Sequence, residues 1–358
     1  MRPRLRELGI EIGVYMPGTA NAITDVPGVR VGHTTLIDDE PWVARTSVTV
    51  ILPRGGESWH NPAFAGFHVL NGTGEMTGIH WLRESGLLSS PIALTNTHQV
   101  GLVRDALVAY AQEHGLTRNS SLPVVAETWD GWLNDMDGFH LQPQHVYQAL
   151  AGAASGPVAE GNVGGGTGMV CHGFKGGVGT ASRRVAPSGI PYTVGALVQA
   201  NHGDRGLFRV DGVPVGREIG PGDVPIPYAP GASQGSLLVV IASDAPLLPV
   251  QCRRLAQRAT IGMARCGGIG HNSSGDLFLA FATGNDVPAG AREPFPVDML
   301  PHGRLDPLFA AAAEAVEAAI LNALVAAETM TGYRGHVVHA LPLDRLRQVM
   351  GRYRNAGR

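Results

Sequence analysis

Short apolar runs separated by turn residues dominate the chain. Residues 47–52, 91–94, 123–126, 193–199, 237–242 and 277–282 are apolar or β-branched and are bounded by Gly, Pro or Asn. Runs of this length and composition predict strands buried on both faces. Two segments carry helical spacing instead. Asp244 is placed to cap a helix with Pro246 in its first turn; Leu248, Cys252, Leu255, Ala259 and Met263 then share one face, with Arg253, Arg254, Gln257 and Arg258 opposite. The arginines read as a solvated or inter-subunit face. A second helix is predicted from Asp306-Pro307, a cap followed by a first-turn proline, through an Ala-rich segment to about Met330, with Gly332 as its stop. Its alanines predict close packing on a sheet or another helix. Strands alternating with helices favour a layered α/β sandwich.

Composition narrows the function classes. The 358 residues suffice for a large core, read here as one catalytic domain spanning 1–358, and a formal charge of −3 gives no electrostatic reason for nucleic acid or an anionic membrane as partner. The Ala-rich segment is broken by Glu314 and Glu317, so no uninterrupted apolar stretch of ~18 residues is present. The first seven residues lack an apolar signal region, and Cys171, Cys252 and Cys266 form no CxxC pair. These features predict reduced thiols and a cytoplasmic location. Histidines such as His33, His98, His172, His202 and His271 are scattered without HExxH or similar spacing, which predicts no metal and no other cofactor. The 49 glycines imply either tight loops around a site or a loop-rich fold.

The step from Gly235 to Ser236 carries the most chemistry. A loop, Pro230-Gly231-Ala232-Ser233-Gln234-Gly235, runs directly into the apolar strand beginning Ser236-Leu237-Leu238. Residues 214–233, rich in Pro and Gly, form the loosest stretch, where a cut would need accessible backbone. Gly235 offers no side chain to obstruct attack by the Ser236 hydroxyl on the preceding carbonyl. Cleavage would leave Ser236 with an α-amine of pKa near ~8, a local base for its own hydroxyl. A Gly-Ser pair also simply ends many loops.

Other polar groups stand at strand ends. Ser274 and Asp276 are two residues apart where a strand starts, so they share a face and can relay a proton to or from Ser236; the same Ser-Gly-Asp makes ordinary turns. Asn201 ends the strand 195–200 and can donate to an oxyanion or close a turn. His202 has the pKa of a general base, but a serine carrying its own amine needs none, so His202 reads as supporting or structural. Glu127 follows the buried run 123–126 and precedes Trp129 and Trp132. A carboxylate beside indoles suits a small ammonium ligand, or else a loop salt bridge. The loops Asn71-Gly72-Thr73-Gly74-Glu75 and Thr95-Asn96-Thr97-His98 can line the same cleft. The run Gly164-Gly165-Gly166-Thr167-Gly168 with Lys175 lacks a GK[ST] ending and reads as backbone turns near the site. Lys175 is either a positive charge there or a surface residue.

Taken in order, these motifs resemble the L-aminopeptidase D-Ala-esterase/amidases and β-peptidyl aminopeptidases. The resemblance starts at Asn21-Ala22-Ile23-Thr24-Asp25-Val26-Pro27-Gly28-Val29 and passes through Asn71-Gly72-Thr73-Gly74-Glu75, Glu127 and Val198-Gln199-Ala200-Asn201. It ends with Gly235-Ser236, Ser274-Gly275-Asp276 and Ala326-Ala327-Glu328-Thr329-Met330-Thr331-Gly332. It implies an αββα four-layer sandwich like that of N-terminal nucleophile hydrolases. It further implies self-cleavage into 1–235 and 236–358, which stay associated as processed heterodimers in a homo-oligomer. Ser236 would be the nucleophile, Ser274 and Asp276 its partners, Asn201 an oxyanion donor, and Glu127 the anchor for the substrate's free amine. Position 276 is Asp where some relatives carry Glu, and Trp129 stands where some carry a Tyr that helps hold the oxyanion. The expected activity is release of small N-terminal residues from short peptides, amides or esters through an acyl-enzyme. The rival readings are an acyltransferase or oligoamide hydrolase on the same scaffold, and a non-cleaving ligand-binding homologue.

Overall fold

The computed structural model describes residues 2–55, 57–116, 121–187, 189–228 and 235–356. In chain order its strands are β1 (Arg30–Asp38), β2 (Ala44–Leu52), β3 (Ala63–Gly72), β4 (Leu87–Leu88), β5 (Ile92–Asn96), β6 (Val124–Thr128) and β7 (Val170–Cys171). They continue with β8 (Phe174–Lys175), β9 (Gly177–Val185), β10 (Tyr192–Asn201), β11 (Ser236–Ser243), β12 (Gly275–Ala282), β13 (Met330–Thr331) and β14 (Val337–Val338). The helices are α1 (Ile79–Ser85), α2 (Val100–Glu113), α3 (Pro143–Ala151), α4 (Val215–Glu218), α5 (Pro249–Ala256), α6 (Ala259–Arg265), α7 (Asp306–Ala326) and α8 (Leu343–Ala356).

Two sheets stack face to face. One has the order β1-β2-β5-β6 and the other β4-β3-β12-β11-β10-β9. Between them lies an apolar layer in which Ile51, Ile92 and Leu94 meet Leu197, Leu238 and Leu279. On the outer face of the four-stranded sheet, Val48, Val50 and Val125 pack on Val103, Leu107 and Val146 of α2 and α3. On the outer face of the six-stranded sheet, Val198, Val239 and Phe278 pack on Leu255, Met263, Val316 and Ile320 of α5 to α7. The result is the expected αββα sandwich. All six predicted strands are present, and their continuous apolar runs reflect burial on both faces. Within the six-stranded sheet, β11 and β12 are parallel, joined by the α5–α6 crossover.

Both predicted helices exist with different limits. The first does not begin at Asp244, whose carboxylate instead accepts the Thr193 amide at 2.7 Å. It starts at Pro249 behind Leu248, ends at Ala256 and resumes as α6 at Ala259. The predicted apolar face is buried at Cys252, Leu255, Ala259 and Met263. The second helix stops at Ala326 rather than near Met330. Met330 packs in a separate cluster with Leu133, Val170 and Val338, which requires extended chain and the β13–β14 pairing. Gly332 is needed in that hairpin for another reason: a Cβ there would lie 2.2 Å from the Leu133 carbonyl oxygen.

Helix α7 is long and apolar enough to cross a membrane, yet 94% of its most apolar window is buried inside the protein. The alanines let it approach β9 so closely that a Cβ on Gly179 would lie 2.0 Å from the Ala319 oxygen. Glu314 accepts the Arg183 guanidinium at 3.2 Å and the amides of Val14 and Tyr15 at 3.0 and 3.1 Å. A carboxylate so satisfied is tolerated in an otherwise apolar interface. The loose stretch expected at 214–233 contains α4, and its residues 229–233 lie outside the described residues.

Candidate active site

Sheet register brings the candidate catalytic residues together. Ser236, the first residue of β11, pairs with Asn201, the last of β10, on one side. On the other side it pairs with Gly275, the first residue of β12. The Gly275 amide donates to Ser236 Oγ at 3.2 Å. Ser236, Asn201, Ser274 and Asp276 are all at most 5% exposed. Gly235 fits only as glycine: a Cβ there would lie 2.3 Å from the Asn201 carbonyl oxygen and 2.8 Å from His202 Cα.

Ser274 and Asp276 flank Gly275 and are hydrogen-bonded to each other. Ser274 Oγ donates to Asp276 Oδ1 at 2.8 Å, and the Leu237 amide, directly after Ser236, donates to the same oxygen at 3.1 Å. Asn71 Nδ2 donates to Oδ2 at 3.0 Å. Burial pushes the Asp276 carboxyl above its ordinary value, and these donors pull it back.

Asn201 is held from both ends of its amide. The Val170 amide donates to Oδ1 at 2.8 Å, and Nδ2 donates to the Trp129 carbonyl at 2.9 Å. A donor on one side and an acceptor on the other fix which way the amide points. One N–H of Nδ2 remains for a further acceptor.

Glu127 is the penultimate residue of β6 and is 3% exposed. Its Oε1 accepts the Glu75 amide at 2.9 Å, and its Oε2 accepts the Thr97 hydroxyl. The two polar loops expected to line the cleft therefore do meet the site, one at Asp276 and Glu127, the other at Glu127. Gly74 lies between Glu127 and Gly275, the strand neighbour of Ser236: a Cβ there would lie 3.1 Å from Glu127 Oε1 and 3.3 Å from Gly275 Cα. Burial raises the Glu127 pKa, opposed by the Thr97 and Glu75 bonds and aided by the Glu75 charge. Fully buried Asp130, three residues on, is raised to about 7 by burial, with the Glu127 charge acting in the same direction. Beside Gly74, a cavity of about 180 Å³ is lined by Val69, Met76, Ile79 and Leu277, among others.

Trp129 meets Asn201 through its backbone carbonyl. Its ring lies over Gly131, whose Cβ would come 2.8 Å from the indole. The groups that residue-type reading could not find are backbone ones: the amides of Gly275, Val170 and Glu75 and the carbonyl of Trp129.

The glycine run forms a tight turn before the β7–β8 hairpin, and Lys175 is completely buried rather than at the surface. Burial lowers the Lys175 pKa to about 7. Linear spacing also hid a grouping of possible metal ligands. Cys171, His172 and His202 present ligand atoms within 4.8 Å of one another, all buried. Cys171 Sγ lies 3.8 Å from His202 Nδ1, and His172 Nδ1 bonds the Asp204 carbonyl at 3.1 Å. Burial lowers the pKa of both histidines, His172 to about 4, so both are neutral. His202 is buried with its ring against His172 and Cys171.

Comparisons with known proteins identify the family of the chain. A model of Peptidase family S58 matches residues 21–338. Beta-peptidyl aminopeptidase BapA of Sphingosinicella microcystinivorans is 48% identical over 371 aligned positions, covering 98% of this chain and 93% of that protein. A solved beta-aminopeptidase from Burkholderia sp. superposes with a TM-score of 0.91 at 54% identity, over 98% of this chain and 99% of the other. L-aminopeptidase D-Ala-esterase/amidase from Ochrobactrum anthropi, a prototype serine aminopeptidase with a variant of the Ntn hydrolase fold, superposes with a TM-score of 0.92 at 45% identity. That match covers 98% of this chain and 99% of the other. With its sandwich fold, a family match over most of its length and relatives of this likeness, the chain belongs to Peptidase family S58, as an aminopeptidase of the Ntn hydrolase type.

Proposed function

We propose that this aminopeptidase cuts its own Gly235–Ser236 bond and then uses Ser236 as an N-terminal nucleophile. The observation that carries the reading is the lateral line Asn201, Ser236, Gly275, with Glu127 one glycine away. In maturation Ser236 Oγ attacks the Gly235 carbonyl, and the acyl group moves from nitrogen to oxygen. Water hydrolyses the ester, leaving a carboxylate on Gly235 and a free amine on Ser236. In turnover that amine takes the hydroxyl proton as Ser236 attacks the substrate carbonyl. The remaining N–H of Asn201 meets the oxyanion. The amine returns the proton to the leaving group, and water releases the acyl-enzyme. Ser274 and Asp276 are bonded to each other, and Asp276, which also accepts the Leu237 amide, holds with Ser274 the proton path beside the new terminus.

Glu127 sets exopeptidase specificity in this reading. A buried carboxylate with a raised pKa gains most from an incoming ammonium, which restores its charged form. The small apolar cavity beside Gly74 suits a small side chain. Relatives of 48% and 54% identity named as β-peptidyl and β-aminopeptidases favour a β-aminoacyl group. Intact mass under denaturing conditions tests maturation. Wild type should give fragments 1–235 and 236–358, summing to the full chain plus one water, and Ser236→Ala should stay whole. Uncut wild type would overturn the mechanism. Turnover of β-alanyl and alanyl anilides then tests the substrate class.

A further inference from the structure

The strand end that presents Asn201 is reached from behind by the buried Lys175 side chain. The Lys175 ammonium, at the end of β8, donates to the carbonyls of Gly176 at 2.8 Å, Met169 at 2.9 Å and Gly166 at 3.3 Å. The Met169 carbonyl belongs to the same peptide unit as the Val170 amide, which donates to Asn201 Oδ1 at 2.8 Å. In a planar trans peptide these two groups point in opposite directions. A continuous chain of hydrogen bonds therefore runs from Lys175 Nζ, through the 169–170 peptide, into the Asn201 amide.

Each link polarises the next. A cation on a peptide carbonyl makes that peptide's N–H a stronger donor, and a stronger donor on Oδ1 makes the Asn201 NH₂ more acidic in turn. The chain is also short and stiff. The hairpin is pressed onto β10 so tightly that a Cβ on Gly176 would lie 2.3 Å from the Ala200 carbonyl oxygen. We propose that Lys175 is a positioning residue for catalysis, which through the 169–170 peptide orients and polarises Asn201 and so strengthens its hydrogen bond to the oxyanion.

This rests on the reading of Ser236 as nucleophile and Asn201 as oxyanion donor. Burial lowers the Lys175 pKa to about 7, and the three carbonyl acceptors oppose this by favouring the charged state. An ammonium has three N–H groups for three carbonyls, whereas a neutral amine would turn its lone pair on one of them. A buried cation is also a costly way merely to staple a hairpin, since a neutral donor would satisfy the same carbonyls without the desolvation of a charge.

The test is a double-mutant cycle on the processed enzyme with an alanyl or β-alanyl anilide, using Lys175→Met, Asn201→Ala and the double variant. Direct loss of an oxyanion donor costs about 10²–10³ in kcat, so acting through one intermediary Lys175→Met should cost about 10–100-fold. KM should stay within about twofold, and affinity for an aminoalkyl boronate, which forms a tetrahedral adduct on serine, should fall by the same factor as kcat/KM. In the double variant the Lys175 effect should largely vanish, because its route through the 169–170 peptide and Asn201 is gone. Additive losses, or a change in KM alone, would assign Lys175 to structure and overturn the proposal. If Lys175→Met does not fold, Lys175→Gln, which keeps a neutral donor, decides instead: reduced kcat supports the charge relay, and wild-type kcat ends it. Full activity of Asn201→Ala would remove the underlying oxyanion reading, whereas inactive Asn201→Ala with wild-type kcat in Lys175→Met would remove only the relay.

Discussion

The six-stranded sheet supplies Asn201, Ser236 and Gly275 as three neighbouring strand positions, whereas the four-stranded sheet supplies Glu127 from the penultimate position of an edge strand. On the first side, position follows from backbone pairing, and side chains are allowed only where the register leaves room. On the second, a buried carboxylate is held by one amide and one hydroxyl, and its energy depends on charge and desolvation. On the proposed mechanism, the nucleophile side should therefore fail abruptly under small changes of shape. The recognition side should weaken in proportion to the interaction removed.

Gly235→Ala should have the largest effect. The new Cβ would meet backbone atoms of Asn201 and His202, which the sheet does not allow to move, so the Gly235 carbonyl must shift relative to Ser236 Oγ. Misplacement by about 1 Å costs about 10²-fold in rate. Maturation followed by intact mass should slow by at least that much, and aminopeptidase activity should fall with it. Maturation at the wild-type rate would show that the tight packing at 235 is irrelevant to the cut.

Asp276→Asn comes next, because it preserves shape and changes only chemistry. An amide can still accept from Ser274 and Leu237 on its oxygen, but its nitrogen then faces the Asn71 Nδ2 donor that Oδ2 now accepts. Proton-transfer groups contribute about 10²–10⁴-fold, so kcat should fall by about 10² while KM changes little. A loss confined to KM would place Asp276 in substrate binding instead.

Glu127→Gln should act on KM. Hydrogen bonds to charged groups contribute about 1.5–3 kcal/mol, so KM for free-amine substrates should rise about 10–100-fold, with kcat nearly unchanged. The pH profile sharpens this. Burial raises the Glu127 pKa, so the carboxylate is lost on acidification at a higher pH than an exposed glutamate would show. In wild type kcat/KM should therefore rise with pH through that raised value, and Glu127→Gln should remove this acid limb. An acid limb unchanged in the variant would assign the titration elsewhere, with Asp276, also raised by burial, as the first alternative.

The two sides were not equally legible in the sequence. Strands β11 and β12 announce themselves as apolar runs beginning at polar residues, so Ser236, Ser274 and Asp276 could be found where pattern and chemistry change together. Strand β1, mostly half-buried or exposed beyond Gly32, and β3, with glycines at 66 and 72, carry weak patterns and were missed, although β3 supplies Asn71. Helix limits failed where tertiary contacts outweighed local signals. Asp244 is a good cap by type but is engaged by Thr193, and Met330 is apolar enough for a helix but packs with Leu133 and Val338. The support of Asn201 was invisible for a deeper reason. It is made by the Val170 amide and the Trp129 carbonyl, groups every residue possesses, and only the fold selects which of them arrive.

Trp129 tests the border between the two sides, and its substitution should have the smallest effect. It lies two residues after Glu127, yet its contact with the nucleophile side runs through its backbone carbonyl, which accepts from Asn201 Nδ2 at 2.9 Å. Replacing the ring by another planar one leaves that carbonyl in place and keeps a flat apolar cover over Gly131. Trp129→Phe should therefore change kcat by less than about threefold, well short of the 10²–10³ expected for loss of a direct oxyanion donor. A drop of that larger size, with KM unchanged, would show that the indole N–H itself reaches the oxyanion. The oxyanion site would then draw one donor from each sheet, and the division between a rigid nucleophile side and an adjustable recognition side would no longer hold.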